Sequence, residues 1–275
     1  MMEAVMKNIL VLAHDDCGQE ARLQVAIDIT RAIDGHLTCL DVAMTSLVSA
    51  DFTGTYTGTA ILAEERQVEA ANGAALKARL GREDISHAMI DATGDAATCL
   101  RRAAKLADLV VVNRGLDDKA AYPNMFDLAG DMVLEGRTPV FAVPERARSI
   151  DLGGRAVVAW DGSNHAAAAL RAAVPLLKLA RSVTLFYAED GSLALPLEEA
   201  ATYLSRHGVH ATIRREKCLM DRPGSVIMAE AMIEHAAYVV MGAFSRSRFL
   251  EAAFGGATQR MLSESPVPIF IVHQA

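Results

Sequence analysis

Short apolar runs alternate with longer stretches of helical spacing along the whole chain, and this rhythm predicts strands and helices in succession. Strands are predicted at Ile9–Ala13, Leu37–Val42, Ile85–Ile90, Leu109–Val112 and Val140–Val143. Between them, helices are predicted over Gln19–Ile33, Ile61–Leu80, Ala96–Leu106 and Phe126–Glu135, with Gly35 and Gly81 as stop signals. The rhythm then starts again. Strands are expected at Ala156–Trp160, Val183–Tyr187, Ala211–Arg215, Tyr238–Met241 and Ile269–Val272, and helices at Ala166–Leu179, Leu197–Ser205, Ser225–His235 and Ala257–Ser263. Pro175 should kink or shorten the first of these helices, and Gly224 with Ser225 marks the start of the third. Wholly apolar strands separated by helices imply βαβ crossovers and a mostly parallel sheet covered on both faces.

The restart is a repeat. Val11-Leu12-Ala13-His14-Asp15 echoes Val157-Val158-Ala159-Trp160-Asp161 at an offset of about 146 positions. Ala107 to Val112 echoes Ala236 to Met241, and Thr138-Pro139-Val140-Phe141 echoes Val267-Pro268-Ile269-Phe270, both at about 129. The shrinking offset places an insertion in the first half, at Thr45 to Thr59, which is rich in Thr, Gly and Ser. The expected organisation is a first domain over 1–144, a polar, glycine-ended linker over 145–154, and a second domain over 155–275.

Composition narrows the function classes. The 275 residues are 52% hydrophobic and 22% charged, enough apolar surface for one large or two modest cores. A formal net charge of −7 and the lack of any dense basic run argue against a nucleic-acid partner. The N-terminal apolar run stops at His14 and Asp15 without the flanks of a secretory signal, and no apolar segment approaches the roughly 18 residues of a membrane span. A soluble, cytoplasmic protein is expected. Cys17, Cys39, Cys99 and Cys218 are isolated and read as small apolar filler, except Cys17 in its loop beside Asp15 and Asp16.

The candidate chemistry lies mainly between Val239 and Val272. Four apolar residues lead to Gly242, a loop rich in Ser and Arg follows, and Gly255-Gly256 opens a helix. In a doubly wound sheet, ligands bind at the carboxyl ends of the strands flanking the point where strand order reverses. Here those ends carry Asp161, an acceptor for ribose hydroxyls or a base amine, and Gly242, whose loop offers backbone N–H groups to phosphate. Other combinations carry less. His14, Asp15 and Asp16 are adjacent on a strand end, point apart and have no fourth ligand, so no metal site is expected. Asp161, Ser163 and His165 are triad residue types crowded into one loop without a nucleophile elbow, so no catalytic residue is expected.

These features together resemble a tandem universal stress protein, and the resemblance covers nearly the full length. It implies two tandem five-stranded parallel-sheet domains of the Rossmann-like, adenine nucleotide alpha hydrolase-like fold, and a regulatory or protective role in stress. Nucleotide-binding members carry G-x2-G-x9-G-[ST] in the loop; Gly242, Ser245, Gly255 and Gly256 keep the spacing, with Thr258 two positions on. By the resemblance, Ala159, Trp160 and Asp161 face adenosine, Ala188 and Met241 line the base pocket, and Gly242, Ser245, Gly255, Gly256, Ala257 and Thr258 hold phosphates. The implied ligand is ATP or AMP with Mg, with slow ATP hydrolysis as the most that is expected of an enzyme. Ser245 and Gly256 depart from the pattern, which keeps open a module of the same fold that binds no nucleotide and works through partners. Trp160 either narrows the pocket or stacks on a base. The first half has Asn113, Leu116, Phe126 and Asp127 where the second has Gly242, Ser245, Gly255 and Gly256, and Asp15 at the Asp161 position. It reads as a degenerate, non-binding copy. The resemblance also implies an intramolecular pseudo-dimer through Val140–Val143 and Ile269–Val272, and allows a homodimer of the chain.

Overall fold

The computed structural model describes residues 6–44, 70–117, 123–218, 222–243 and 256–274. The insertion at Thr45–Thr59, the start of the second helix, and Ser245 and Gly255 lie outside the described residues. The first unit runs β1 (Asn8–Ala13), α1 (Gln19–Ala32), β2 (His36–Met44), α2 (70–80), β3 (Ser86–Gly94), α3 (Ala96–Ala103, continued by a 3-10 turn to Leu106), β4 (Leu109–Asn113), α4 (Met125–Glu135) and β5 (Val140–Val143). The second runs β6 (Arg155–Ala159), α5 (Asn164–Leu177), β7 (Ser182–Glu189), α6 (Leu197–Arg206), β8 (Ala211–Lys217), α7 (Pro223–Ile233), β9 (Ala236–Gly242), α8 (Gly256–Glu264) and β10 (Ile269–Val272).

The strands form one sheet in the order β3-β2-β1-β4-β5-β10-β9-β6-β7-β8. Every pairing is parallel except β5 with β10, where Phe141 stands opposite Phe270 in an antiparallel match. Strands β1, β4, β5, β9 and β10 are buried nearly end to end, as parallel strands covered by helices on both faces must be. The side chains of α1, α2, α5 and α6 pack on one face (Leu23, Leu76, Leu170, Leu204), and those of α3, α4, α7 and α8 on the other (Leu100, Leu128, Ile227, Met261). At the seam, Phe141 meets Tyr238 with ring centroids 6.1 Å apart and Phe270 at 6.4 Å.

Local rules explain most boundaries. Asp95, Asn124 and Ser163 cap α3, α4 and α5 by accepting backbone N–H groups of the first turn. Helix α5 ends two residues past Pro175, which cannot donate to the preceding turn. Two details differ from expectation. The left-handed residue after α1 is Asp34 (φ 49°), not Gly35; Gly35 is needed because a Cβ there would lie 2.7 Å from the Lys7 carbonyl. The Glu145–Gly154 connection is not wholly polar and exposed: Ile150 and Leu152 are buried in the core, and Ile150 N donates to the Asp28 carboxylate at 3.0 Å. No helix among the described residues is long and apolar enough to cross a membrane.

Candidate functional site

The chain leaves β6 for β7 on one side and later returns to β9 on the other, so a crevice opens at the carboxyl ends of β6 and β9. A cavity of about 360 Å³ lies there, within the size range of small-molecule sites. Its floor is apolar, made by Ala159, Phe186, Ala188, Ile227 and Met241, all buried and all on the α7–α8 side of the sheet. Its rim is polar: Asp161, Asp190 and Ser192 on one side, Gly242 and the first residues of α8, Gly256, Ala257 and Thr258, on the other. The structure thus gathers Ala159, Trp160, Asp161, Ala188, Met241, Gly242, Gly256, Ala257 and Thr258 around one space.

Two matching turns shape the acidic rim. Asp161-Gly162-Ser163 follows β6 and Asp190-Gly191-Ser192 follows β7. In each, one carboxylate oxygen accepts the serine N–H at 2.9 Å, and the glycine takes a left-handed φ (75° and 79°). Asp190 also accepts from the Tyr187 hydroxyl at 3.4 Å. The second turn was not singled out from sequence, although its Asp-Gly-Ser string repeats the first; Phe186, Ile227 and Pro223 were missed too, as ordinary core or helix-start residues.

Trp160 is 3% exposed, its side chain belongs to the core cluster of α5 and α6, and its indole N–H donates to Leu195 O at 2.9 Å. The ring thus packs on the face opposite the apolar floor and anchors the loop after β7. Gly242 has a structural requirement of its own: a Cβ there would lie 2.4 Å from Ala166 N, so the residue lets β9 touch the start of α5. No described residue lies within 4 Å of a Cβ built on Gly256, the first turn of α8 contains no acid, and Gly256, Ala257 and Thr258 line the cavity. His165, beside this contact, stacks on His273 with centroids 4.7 Å apart and accepts the Gln274 N–H at 3.1 Å. Burial, then the neighbouring His273, holds its pKa below the ordinary value, against the opposing pull of Asp161.

The corresponding place in the first unit is built differently. Val111 and Val240 each pair with the aromatic residue of the last strand, and they pair in turn with Val11 and Val158. Val11 therefore answers to Val158, not Val157, and the residue facing Asp161 across the repeat is His14. The Asx turn of Asp161 is reproduced by Asp16, whose carboxylate accepts Gly18 N at 2.7 Å, because the first unit's loop is longer. The expected match of Asp15 to Asp161 is therefore corrected; Asp15 is simply exposed. Between these ends lies Arg22, with 0% exposure. Its guanidinium donates to Leu12 O (2.6 Å), His14 O, Asp16 and Asn113 (each 2.7 Å). Gly18 supplies the room that Gly242 supplies in the second unit, since a Cβ there would meet Asn113 Oδ1 at 2.5 Å. At the start of α4, Asn124 caps the helix and Asp127 lies in its first turn. Exposed Cys17 is no activated thiol: burial, then Glu145 and Asp16, raises its pKa. No cluster of three or more metal-ligating side chains occurs among the described residues.

Residues 154–273 match the model of the universal stress protein family. That match spans the second unit from just before β6 to just past β10. The fold of the whole chain is that of a universal stress protein from Archaeoglobus fulgidus DSM 4304, with a TM-score of 0.75 at 16% identity, covering 98% of this chain and 99% of that one. A protein of unknown function from Pseudomonas aeruginosa PAO1 aligns with a TM-score of 0.62 at 17% identity, covering 98% of this chain and 92% of that one. No curated protein matches. The chain is therefore a tandem of two universal stress protein folds sharing one sheet, with the open cavity in the unit that carries the family's sequence signature.

Proposed function

We propose that the universal stress protein domain of the second unit binds an adenine nucleotide, ATP or AMP, in the cavity between β6, β9 and α8. The observation that carries this reading is the pairing of an apolar floor with a polar rim at the strand-order reversal. The flat base would lie on Ala159, Ala188 and Met241. The free carboxylate oxygen of Asp161 would accept from the ribose, and the N-terminal N–H groups of α8 at Gly256 and Ala257 would meet phosphate. Magnesium would arrive on the phosphates. Serine at 245 and glycine at 256 are then tolerated departures from the family's loop. No residue is proposed as catalytic, and the protein acts in this reading as a nucleotide-responsive regulator in the stress response.

A second reading rests on the rim itself. Asp161 and Asp190 both border the cavity, with no Lys or Arg among the described residues that do, and two carboxylates repel a polyphosphate. A module that binds partners without nucleotide would tolerate that charge. Calorimetric titration of Mg-ATP and of AMP into the protein and its Asp161→Asn variant separates the two. Micromolar binding weakened at least tenfold in the variant supports the nucleotide site; no heat from a chain shown folded by circular dichroism removes it in favour of the module.

A further inference from the structure

Helix α8 fronts the cavity with its N-terminus, but its other end is held by the first unit. The last carbonyls of an α-helix have no partner within the helix. Here Arg114 Nε donates to Ser265 O at 2.8 Å, Arg114 Nη1 to Ser263 O at 2.9 Å, and Gly115 N to Leu262 O at 3.0 Å. A second bond from Arg114 Nη1 to Gly115 O at 2.8 Å ties the guanidinium to its own loop. Three consecutive donors from the end of β4 therefore close the C-terminus of a helix in the other unit, and the cation sits where the helix dipole favours it.

The origin of these donors matters. Arg114 N donates to Val143 O at 3.0 Å as Ala243 N donates to Val272 O at 2.9 Å, so Arg114 and Ala243 hold equivalent places one step past Asn113 and Gly242. In the second unit that segment leads into the candidate phosphate loop. In the first unit it carries a guanidinium across the seam. Ala243 has no side chain with which to return the contact to α4. Among the described residues, this is the side-chain contact that reaches from the end of β4 to the far end of α8.

We propose that Arg114 is a positioning residue for the second unit's cavity: it fixes α8 from behind and so sets where Gly256 and Ala257 present their N–H groups to a phosphate. The inference rests on the nucleotide reading for its ligand but not for its mechanical part. It makes a prediction that general destabilisation does not. Adenosine has no phosphate to meet α8, so its binding should be insensitive to Arg114, whereas a phosphorylated ligand should respond.

The test compares wild type, Arg114→Ala and Arg114→Lys in the full chain, by calorimetry with Mg-ATP and with adenosine, and by amide hydrogen exchange over residues 256–264 without ligand. In Arg114→Ala, Mg-ATP affinity should fall by about three- to tenfold while adenosine affinity changes less than about twofold, and exchange should quicken through to Gly256–Thr258. Lysine, which keeps the charge near the helix end, should restore part of both. Equal losses for the two ligands would reduce Arg114 to a general structural role, and unchanged exchange at Gly256–Thr258 would overturn the positioning role outright. If wild type binds neither ligand, the nucleotide reading fails by itself, and the exchange comparison still decides whether Arg114 positions the helix.

Discussion

The two crevices of this sheet have the same address and opposite contents. In the second unit, the ends of β6 and β9 border a cavity with an apolar floor, a helix start without acids, and Ala166 of the first turn of α5 on its wall. In the first unit, the fourth residue of α1 is Arg22, which fills the space between β1 and β4 and bonds to four acceptors there. Asp127 supplies a negative charge near the start of α4, where an anion is favoured. The first unit meets the demands of its strand and helix ends with its own side chains; in the second, the described residues do so at the start of α5, through Ser163. The lesson is that the same strand and helix ends can be filled by a buried side chain in one unit and border a cavity in the other, without a change of fold.

Removing that substitute should give the largest effect. Arg22→Ala strips a buried cation from Asp16, Asn113 and two carbonyls, and should cost about 3–5 kcal/mol in denaturant unfolding. A loss below about 1 kcal/mol would mean that the guanidinium is not what closes the first crevice. Next come the two glycines that let a helix start touch a strand end. Gly242→Ala forces a Cβ against the backbone of His165 and Ala166 and should cost about 1–3 kcal/mol, measured the same way. Gly18→Ala should cost less, because the obstructing atoms are the side chains of Asn113 and Leu116; a larger loss there would invert the comparison.

Smaller still is the cap of α5, where Ser163→Ala removes the acceptor for Ala166 N and should cost about 1 kcal/mol in thermal unfolding. The smallest effect is a pH dependence. The pKa of His165 is lower folded than unfolded, so its contribution is fully present above the ordinary histidine value of 6.5 and is lost as pH falls through the folded value. His165→Gln should flatten the stability profile on the acid side of 6.5, and an unchanged profile would show that the stacked pair does not titrate with folding.

The fold was legible because strands buried on both faces are short apolar strings whatever their register, and nearly every predicted strand lies within a few residues of its place. That same property hid the register of the repeat. With both faces apolar, period-two alternation vanishes, and Val11 could be laid against Val157 as easily as against Val158. The error put Asp15 opposite Asp161, where the structure has His14 just past the strand and Asp16 in the turn. Arg22 was invisible for another reason. An arginine in the first turns of a helix reads as a solvated charge, and two of its acceptors are backbone carbonyls that sequence does not display. In the second unit, the floor residues Ala159, Ala188 and Met241 were found through family resemblance, whereas Asp190 was missed despite repeating the Asp-Gly-Ser string of Asp161.

The antiparallel match of β5 with β10 has a consequence for stoichiometry. Two separate units of this fold would each bring a last strand with an unfilled side, and the tandem has spent both on itself. What remains of the sheet are its two outer margins, β3 at one end and β8 at the other. The β8 margin is guarded by exposed Arg215, Glu216 and Lys217, with Arg214 bridged to Glu230 and Glu234 at 3.1 Å each. The local twofold is therefore enclosed within one polypeptide and relates two chemically unlike halves, with Arg22 filling the crevice of one and the cavity between β6 and β9 opening in the other.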